Sequence, residues 1–374
     1  MDFQFSDAAE ALREQARKFL ADKAPRTVAR AVMEGAEPFD RALWAQIVAL
    51  GWPALRVPED HGGLGLSTLE LCVLAEEVGR ALAPVPFTSS VLLGTEALLL
   101  AASPDQQARL LPALVDGSAL VVPALAEARP VAPTARPTAT ITDGRLSGIK
   151  LPVSDALAAS WFIVDASAAE DGPDGWSWWL VRADAPGVSV QAVETVDLVR
   201  KHGRVTFENA PAERLGGAGA GAALIQRFLD MAGVLLAFEA LGTAEAAMTM
   251  TVDYAKTRTA FGQAIGRYQA VKHRCADMYI KVTLARGHAY HGAWALASGA
   301  AELTQAAAGA RVASLDALRL CAEETVELHG GIGFTWEHDA QLFYRRARLL
   351  GLTLGSRAFW TERLVRALEH RNAA

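Results

Sequence analysis

The apolar residues of this chain change their spacing twice, and that double change limits the fold more than any other feature of the sequence. From Asp7 to about Ser103 they recur every three or four residues, the period of an amphipathic helix. Leu12, Ala16, Phe19 and Leu20 form one such stripe behind Asp7, a residue suited to capping a helix. Phe39, Leu43, Ile47 and Leu50 form a second, before Gly51; Leu69, Val73, Leu74 and Val78 form a third, before Gly79. A loop rich in proline and glycine, Val57 to Gly65, separates these two. From about Ala119 to Leu215 the pattern turns to short strands. Thr138–Thr142 and Arg145–Leu151 flank an Asp143-Gly144 hairpin turn, and Trp161–Val164, Trp176–Val181 and Arg204–Glu208 follow. Asp171–Gly175 and Ala185–Gly187 are breakers, and Glu127–Pro137, rich in proline and alanine, reads as an irregular loop. From Gly219 longer helices return, with stripes at Tyr268, Val271, Cys275, Met278 and Val282, and at Val312, Leu315, Leu318 or Arg319, and Ala322. Helices, then strands, then helices predict an α+β multidomain chain. Its parts would be an N-terminal α-helical domain over 1–118, a middle antiparallel β-barrel or sandwich domain over 119–218, and a C-terminal four-helix bundle over 219–374.

Composition removes several functional classes. With 51% hydrophobic residues the chain has ample material for a large core. A net charge of −6, with both signs interspersed, argues against a nucleic-acid surface, which needs a clustered basic patch. Cys72, Cys275 and Cys321 lie far apart and form no Cys-x-x-Cys pair, so neither a disulfide framework nor a metal site is expected. Met1-Asp2-Phe3 does not open a basic and then apolar leader. The longest apolar run, Val91 to Ala102, is interrupted by Glu96 and too short to span a bilayer. A cytoplasmic protein without membrane insertion is the expectation.

The segment richest in chemistry is Tyr254-Ala255-Lys256-Thr257-Arg258-Thr259-Ala260-Phe261-Gly262-Gln263-Ala264-Ile265, with Gln269 and Ala276-Asp277-Met278 behind it. A guanidinium next to a flat ring and a glycine suits a phosphorylated aromatic cofactor. The same letters also describe a helix C-terminus, with basic residues for the macrodipole and a glycine stop.

The pattern Tyr-x-x-x-Arg-x-x-Phe-Gly-x-x-Ile-x-x-x-Gln resembles the signature of acyl-CoA dehydrogenases. Gly51-Trp52, Val57-Pro58-Glu59, Gly62-Gly63-Leu64-Gly65 and Glu76-Glu77-Val78-Gly79-Arg80 are similar to that family's N-terminal domain. Gly148 to Phe162 resembles its β-domain, and Glu327-Leu328-His329-Gly330-Gly331-Ile332-Gly333-Phe334 resembles its Gln-x-x-Gly-Gly-x-Gly-[Phe/Tyr] motif. The likeness runs along essentially the whole chain in the expected order.

The resemblance implies FAD as cofactor. Arg258 would grip its pyrophosphate, Phe261 would pack on it and Gln269 would meet its adenosine side, reaching a cofactor held mainly by a neighbouring subunit. Glu327 would stand at the nucleotide, and Gly330 and Gly331 would let backbone approach the dimer mate's FAD where a Cβ would clash. Ser154 falls where the family places a hydroxyl or backbone donor at the flavin's central ring. Asp230 falls where an aspartate faces the CoA arm of the substrate, although a lone aspartate on a helix is as readily a solvated residue. An electron-transferring flavoprotein would be the acceptor, and a homo- or heterotetramer the assembly.

The chain also departs from the family. A carboxylate must take the α proton of the thioester, yet the family's glutamate position is Leu354 here, and the alternative position used by some relatives is Ala232. The catalytic base is therefore unassigned. Glu239 lies two turns beyond Ala232, about 10 Å along a helix, and reads as a structural carboxylate paired with an arginine. A flavin-edge tryptophan is replaced by Pro152, the glutamine of the glycine motif by Glu327, and an arginine three residues after Asp230 by Gly233. The wording His329 to Asp339 with Tyr344-Arg345-Arg346-Ala347 resembles a bacterial branch acting on sterol side-chain and other bulky CoA esters, in which two unlike subunits pair and one lacks part of the machinery. Three functions follow: an acyl-CoA dehydrogenase forming a trans-2-enoyl-CoA with an unidentified base, a non-catalytic or half-site subunit of a heterotetramer, or a flavin-dependent oxygenase of the same fold.

Overall fold

A computed structural model describes residues 5–128, 132–172 and 175–373. Met1–Phe3, the 129–131 part of the Glu127–Pro137 loop and the Pro173-Asp174 breaker lie outside these residues. The chain begins with α1 (Asp7–Lys23), α2 (Arg26–Glu34), α3 (Arg41–Ala49), α4 (Thr68–Ala81), a π-helix over Phe87–Thr95, α5 (Glu96–Ala101) and α6 (Pro104–Val115). Eight strands follow: β1 (Val121–Ala124), β2 (Thr140–Thr142), β3 (Arg145–Ser154), β4 (Trp161–Ala168), β5 (Ser177–Arg182), β6 (Val188–Val193), β7 (His202–Pro211) and β8 (Glu213–Leu215). The last part is helical again: α7 (Gly221–Thr257), a short hairpin of β9 (Thr259–Ala260) and β10 (Gln263–Ala264), then α8 (Gln269–Ser298), α9 (Leu303–His329), α10 (Ala340–Leu350) and α11 (Arg357–Ala373). The order of helices, sheet and helices is the one the changing period predicts.

By internal contacts the chain forms two compact units, one of 31–67 and 84–232, the other of 1–30, 68–83 and 233–374. In the first, the strands run in the order β6-β7-β3-β2-β4-β5-β8, with β1 also on β4. The sheet is mixed: β1 and β2 both pair with β4 in parallel, and the other pairings are antiparallel. Asp143 and Gly144 both take positive φ, as a two-residue hairpin turn between Thr142 and Arg145 requires. Phe162 and Phe207 meet edge to face at 6.1 Å in a core shared with Val153, Val164, Trp179 and Val205. Trp178, fully buried, packs on Phe228 of α7 at 5.5 Å.

In the second unit α4 and α7 touch backbone to backbone. A Cβ on Gly79 would stand 2.2 Å from the Glu239 carbonyl oxygen, and one on Gly242 would stand 1.9 Å from that of Glu76. The Thr243 hydroxyl donates to the Gly79 carbonyl at 3.0 Å. Gly79 therefore does not stop α4, which runs on to Ala81; the glycine is there for close approach. The buried carboxylates Glu76 and Glu77 are matched by Arg13, Arg17, Arg80 and Arg286, the pairing that burial of charge demands. The cap of α1 is Ser6, whose Oγ accepts from the Ala9 N–H at 3.2 Å, and Asp7 is its first residue instead.

The C-terminal part is built on the three long helices α7, α8 and α9, with α10 and α11 packed on α9. Among the described residues one helix, Gly221–Thr257, is long and apolar enough to cross a bilayer, but 78% of its most apolar window is buried inside the protein, as in a core helix.

Candidate functional site

Arg258 follows directly on α7, one turn after Tyr254, to whose carbonyl its N–H donates at 2.8 Å. The chain then reverses through Phe261 (φ 51°) and Gly262 (φ 82°), with Ala260 opposite Gln263. The Tyr268 hydroxyl clamps this turn, donating to the carbonyls of Ala260 at 3.0 Å and Phe261 at 3.4 Å. The return carries Ile265 back to Arg258, its N–H donating to the Arg258 carbonyl at 2.8 Å. Phe261 is an anomaly on two counts. A bulky residue in the left-handed region is strained, and its ring is 97% exposed.

Facing this hairpin is the end of α9. Gly330 takes φ 64°, ψ −145°, a backbone state essentially reserved for glycine. Gly331 has no such demand. A Cβ on either would meet nothing of the chain within 4 Å. Within the chain, Gly330 is fixed by its own backbone, and Gly331 leaves space open.

Tyr254, Arg258, Phe261, Ile265, Tyr268, Glu327, His329, Gly330 and Gly331 line one open cleft of about 490 Å³, within the size range of small-molecule sites. Arg258, Phe261, Glu327, Gly330 and Gly331, singled out in the sequence, are thus brought together. Gln269 is not in the lining; it begins α8, exposed, beside Tyr268. The Arg258 guanidinium has no ion pair or hydrogen bond among the described residues.

Two features at or beside the cleft escaped the sequence reading. His329, 4% exposed, stacks on Tyr254 at 4.2 Å and lies 4.5 Å from the ring of His338. Burial holds its pKa below the usual histidine range against the Thr325 carbonyl bond at 2.6 Å, and His338 lowers it further. Arg274 stands 3.8 Å from Glu327 and 2.9 Å from Glu324 and so offsets the carboxylate that replaces the family's glutamine. Only the fold brings α8 and α9 side by side to make that pair.

Elsewhere in this unit Glu239 is fully buried, its carboxylate 3.4 Å from Arg346, so the structural reading of it holds. Arg311, also fully buried, donates to the carbonyls of Leu350 at 2.5 Å and Thr353 at 3.1 Å; burial lowers its pKa to about 10 against the pull of Glu239. Leu354 sits in the turn so held, with φ 54°. Gly233 lies under Trp360, whose ring would be 2.9 Å from a Cβ there, which leaves no room for the family's arginine.

In the sheet-containing unit, Ser154 ends β3 directly opposite His202 of β7. Their side chains meet, Oγ to Nε2, at 3.0 Å. Asp230 is only 8% exposed, so it is not a solvated helix residue. Ala232 is fully buried. No group of three or more His, Cys, Asp or Glu that could hold a metal occurs among the described residues.

Residues 6–118 match the family model for the acyl-CoA dehydrogenase N-terminal domain, and residues 219–369 match that for the C-terminal domain. Acyl-CoA dehydrogenase IpdE2 of Mycobacterium tuberculosis is 33% identical over 340 residues, 90% of this chain and 89% of that protein. Among solved structures, a variant of the Tcur3481–Tcur3483 steroid ACAD is 32% identical with a TM-score of 0.89, covering 98% of this chain and 99% of that one. The ChsE4–ChsE5 complex from Mycobacterium tuberculosis is 28% identical with a TM-score of 0.89, covering 99% of both chains. The chain belongs to the acyl-CoA dehydrogenase family. Proteins of this family are flavoproteins that bind FAD. The cleft fits a flavin nucleotide: an unpaired guanidinium for phosphate, exposed and stacked rings for a flat heterocycle, and open space over bare backbone at Gly331.

Proposed function

We propose that this chain is the base-deficient subunit of a two-component, FAD-dependent acyl-CoA dehydrogenase. The observation that carries the reading is Phe261: a strained, 97% exposed ring beside an unpaired arginine, at the edge of a cleft of about 490 Å³. Neither strain nor exposure is repaid inside the chain, so both call for a ligand on that surface. Arg258 holds the pyrophosphate of the neighbouring subunit's FAD, Phe261 covers part of that nucleotide, and Gly331 lets it lie against the backbone. Arg274 keeps Glu327 from repelling the phosphates. Gln269 extends the adenosine side. In the sheet-containing unit, Ser154 faces the central ring of this chain's own flavin, a second one, and Asp230 stands towards the CoA arm. FAD, when bound, accepts the hydride from the β carbon of the thioester.

Neither of the family's two base positions carries a proton acceptor in this chain. Leu354 and Ala232 occupy the family's two positions for the base, and Glu239 is buried and ion-paired with Arg346. A partner subunit carrying the glutamate completes the reaction. Two of the structural relatives, the Tcur3481–Tcur3483 steroid ACAD and the ChsE4–ChsE5 complex, each couple two proteins, and the first favours a bulky, steroid-like acyl group as substrate. An electron-transferring flavoprotein then reoxidises the flavin.

The test is to purify the chain alone and together with a candidate partner, and to record flavin absorbance and its anaerobic bleaching by acyl-CoA. The expected result is no bleaching by the chain alone, and yellow, bleachable flavin in the pair. A yellow homo-oligomer that turns over by itself overturns the half-site reading. Loss of flavin from the pair in Arg258→Gln supports the cleft as the nucleotide site, and full retention refutes it.

A further inference from the structure

His202 is 3% exposed, and the Arg200 carbonyl decides which nitrogen holds the proton when the ring is neutral. Nδ1 lies 2.8 Å from the Arg200 carbonyl oxygen, which can only accept, so Nδ1 carries the proton. The Thr195 hydroxyl, 3.1 Å from Nδ1, points its own proton at the Asp197 carbonyl at 3.3 Å and adds a second acceptor on the same side. A neutral imidazole has one N–H, so Nε2 is an acceptor. The Ser154 hydroxyl, 3.0 Å away, therefore donates its only proton to the ring. Both lone pairs of Ser154 remain for whatever meets its half-buried side. The two residues are register partners at the end of paired strands β3 and β7, so the backbone holds the geometry on both sides.

We propose that His202 is a positioning residue that locks the Ser154 hydroxyl as a hydrogen-bond acceptor, and thereby favours the reduced over the oxidised flavin. The inference rests on the reading above that Ser154 faces the flavin's central ring. In oxidised flavin the edge of that ring, N5 and O4, offers only acceptors; after reduction N5 carries a hydrogen and donates. A serine free to rotate serves either state. One whose proton is committed to His202 rewards only the reduced one. The sequence resemblance led to the expectation of a donor at this position, and the cross-strand histidine reverses the direction of the bond. The residue pair thus sets how readily the flavin gains the two electrons and does not touch the proton abstraction step.

The experiment measures the flavin midpoint potential of the flavin-loaded protein, with its partner present if loading requires it. It compares wild type, Ser154→Ala, His202→Phe and the double variant. Ser154→Ala is expected to lower the potential, because the acceptor is gone. His202→Phe, which keeps a ring but removes the nitrogen, is expected to lower it further, because the freed hydroxyl turns to donate to the oxidised ring. A tenfold change in the reduction equilibrium, about 30 mV for a two-electron couple, is the size sought. In the double variant the potential should equal that of Ser154→Ala, since His202 acts only through the hydroxyl. No shift in Ser154→Ala would sink the reading that Ser154 meets the flavin. A shift in Ser154→Ala with none in His202→Phe would leave that reading intact and overturn the role of His202. If His202→Phe does not fold, nitrogen-15 NMR of the labelled wild-type protein decides. A His202 ring protonated on Nδ1 with a bare Nε2 is expected, and either the opposite tautomer or a ring protonated on both nitrogens overturns the proposal.

Discussion

Replacing Phe261 by asparagine separates what the chain loses from what the cofactor gains. A non-glycine residue in the left-handed region costs about 1–2 kcal/mol, and Phe261 sits there with φ 51°. Asparagine is among the residues that tolerate that region best, and before Gly262 it would form Asn-Gly, the preferred pair for a two-residue hairpin turn. The ring is 97% exposed, so its removal forfeits almost no burial within the chain. Phe261→Asn should therefore stabilise the flavin-free protein by about 1 kcal/mol, roughly 1–2 °C in melting midpoint for a chain of this length. Covering a phenylalanine side chain is worth about 2–3 kcal/mol, so FAD affinity should fall about 30- to 150-fold. Thermal melts of the flavin-free chain and FAD titrations followed by flavin fluorescence measure the two sides separately. A flavin-free variant less stable than wild type would show that the turn is not strained. Unchanged FAD affinity would show that the ring does not pack on the nucleotide.

Gly331→Ala should leave the melting midpoint nearly unchanged, since the new methyl meets nothing of the chain within 4 Å. It should weaken FAD binding about tenfold through crowding, and equal affinity in a titration would remove the cofactor from that space. Gly242→Ala and Gly287→Ala make the same change in two helices with opposite expected signs. The first puts a Cβ 1.9 Å from the Glu76 carbonyl oxygen and parts α4 from α7, costing about 2–3 kcal/mol after the helix-propensity gain. The second points into open space and should gain up to about 1 kcal/mol, so denaturant or thermal unfolding that moved both the same way would refute the close-packing account. Glu127→Gln tests a pH dependence. Burial works to raise the Glu127 pKa, but the Thr138 hydroxyl and Lys150 outweigh it and hold the carboxyl down at about 2, from an unperturbed 4.5. Its stabilisation is thus fully present above pH 4.5 and drains away as pH falls towards 2. Melting curves of wild type and variant should differ most at neutral pH and converge in acid; a gap that widened on acidification would contradict the ion pair.

What was legible in the sequence was whatever acts through local spacing. The periods of three to four and of two gave the order of layers, because side-chain direction follows from helix and strand geometry alone. The Asp143-Gly144 hairpin turn was readable, because only residues tolerant of positive φ fit it. Arg258, Phe261 and the paired glycines were findable as a motif, and the fold brings them into one cleft. What was hidden depends on partners far along the chain. The role of Gly79 was hidden because a glycine that ends a helix and one that lets another helix approach are the same letter; the Glu239 carbonyl, from α7, decides between them. Asp230 gave no sign of burial, and Arg274, His329 and His202 gave no sign of their tasks, since each acquires its partner only when strands or helices align.

The turn that carries Leu354 is held by its backbone and not by the side chain at 354. Arg311 fixes the turn from within, through the Leu350 and Thr353 carbonyls. Gly355, with φ 106° and Phe359 2.5 Å from where its Cβ would be, fixes the exit. Both constraints act on backbone, so the identity of residue 354 is left to the chemistry the position must perform. A leucine there accepts a strained φ and supplies no proton acceptor. Under the reading proposed above, shape has been kept at a position from which the carboxylate is gone, the state expected of a subunit whose partner holds the base.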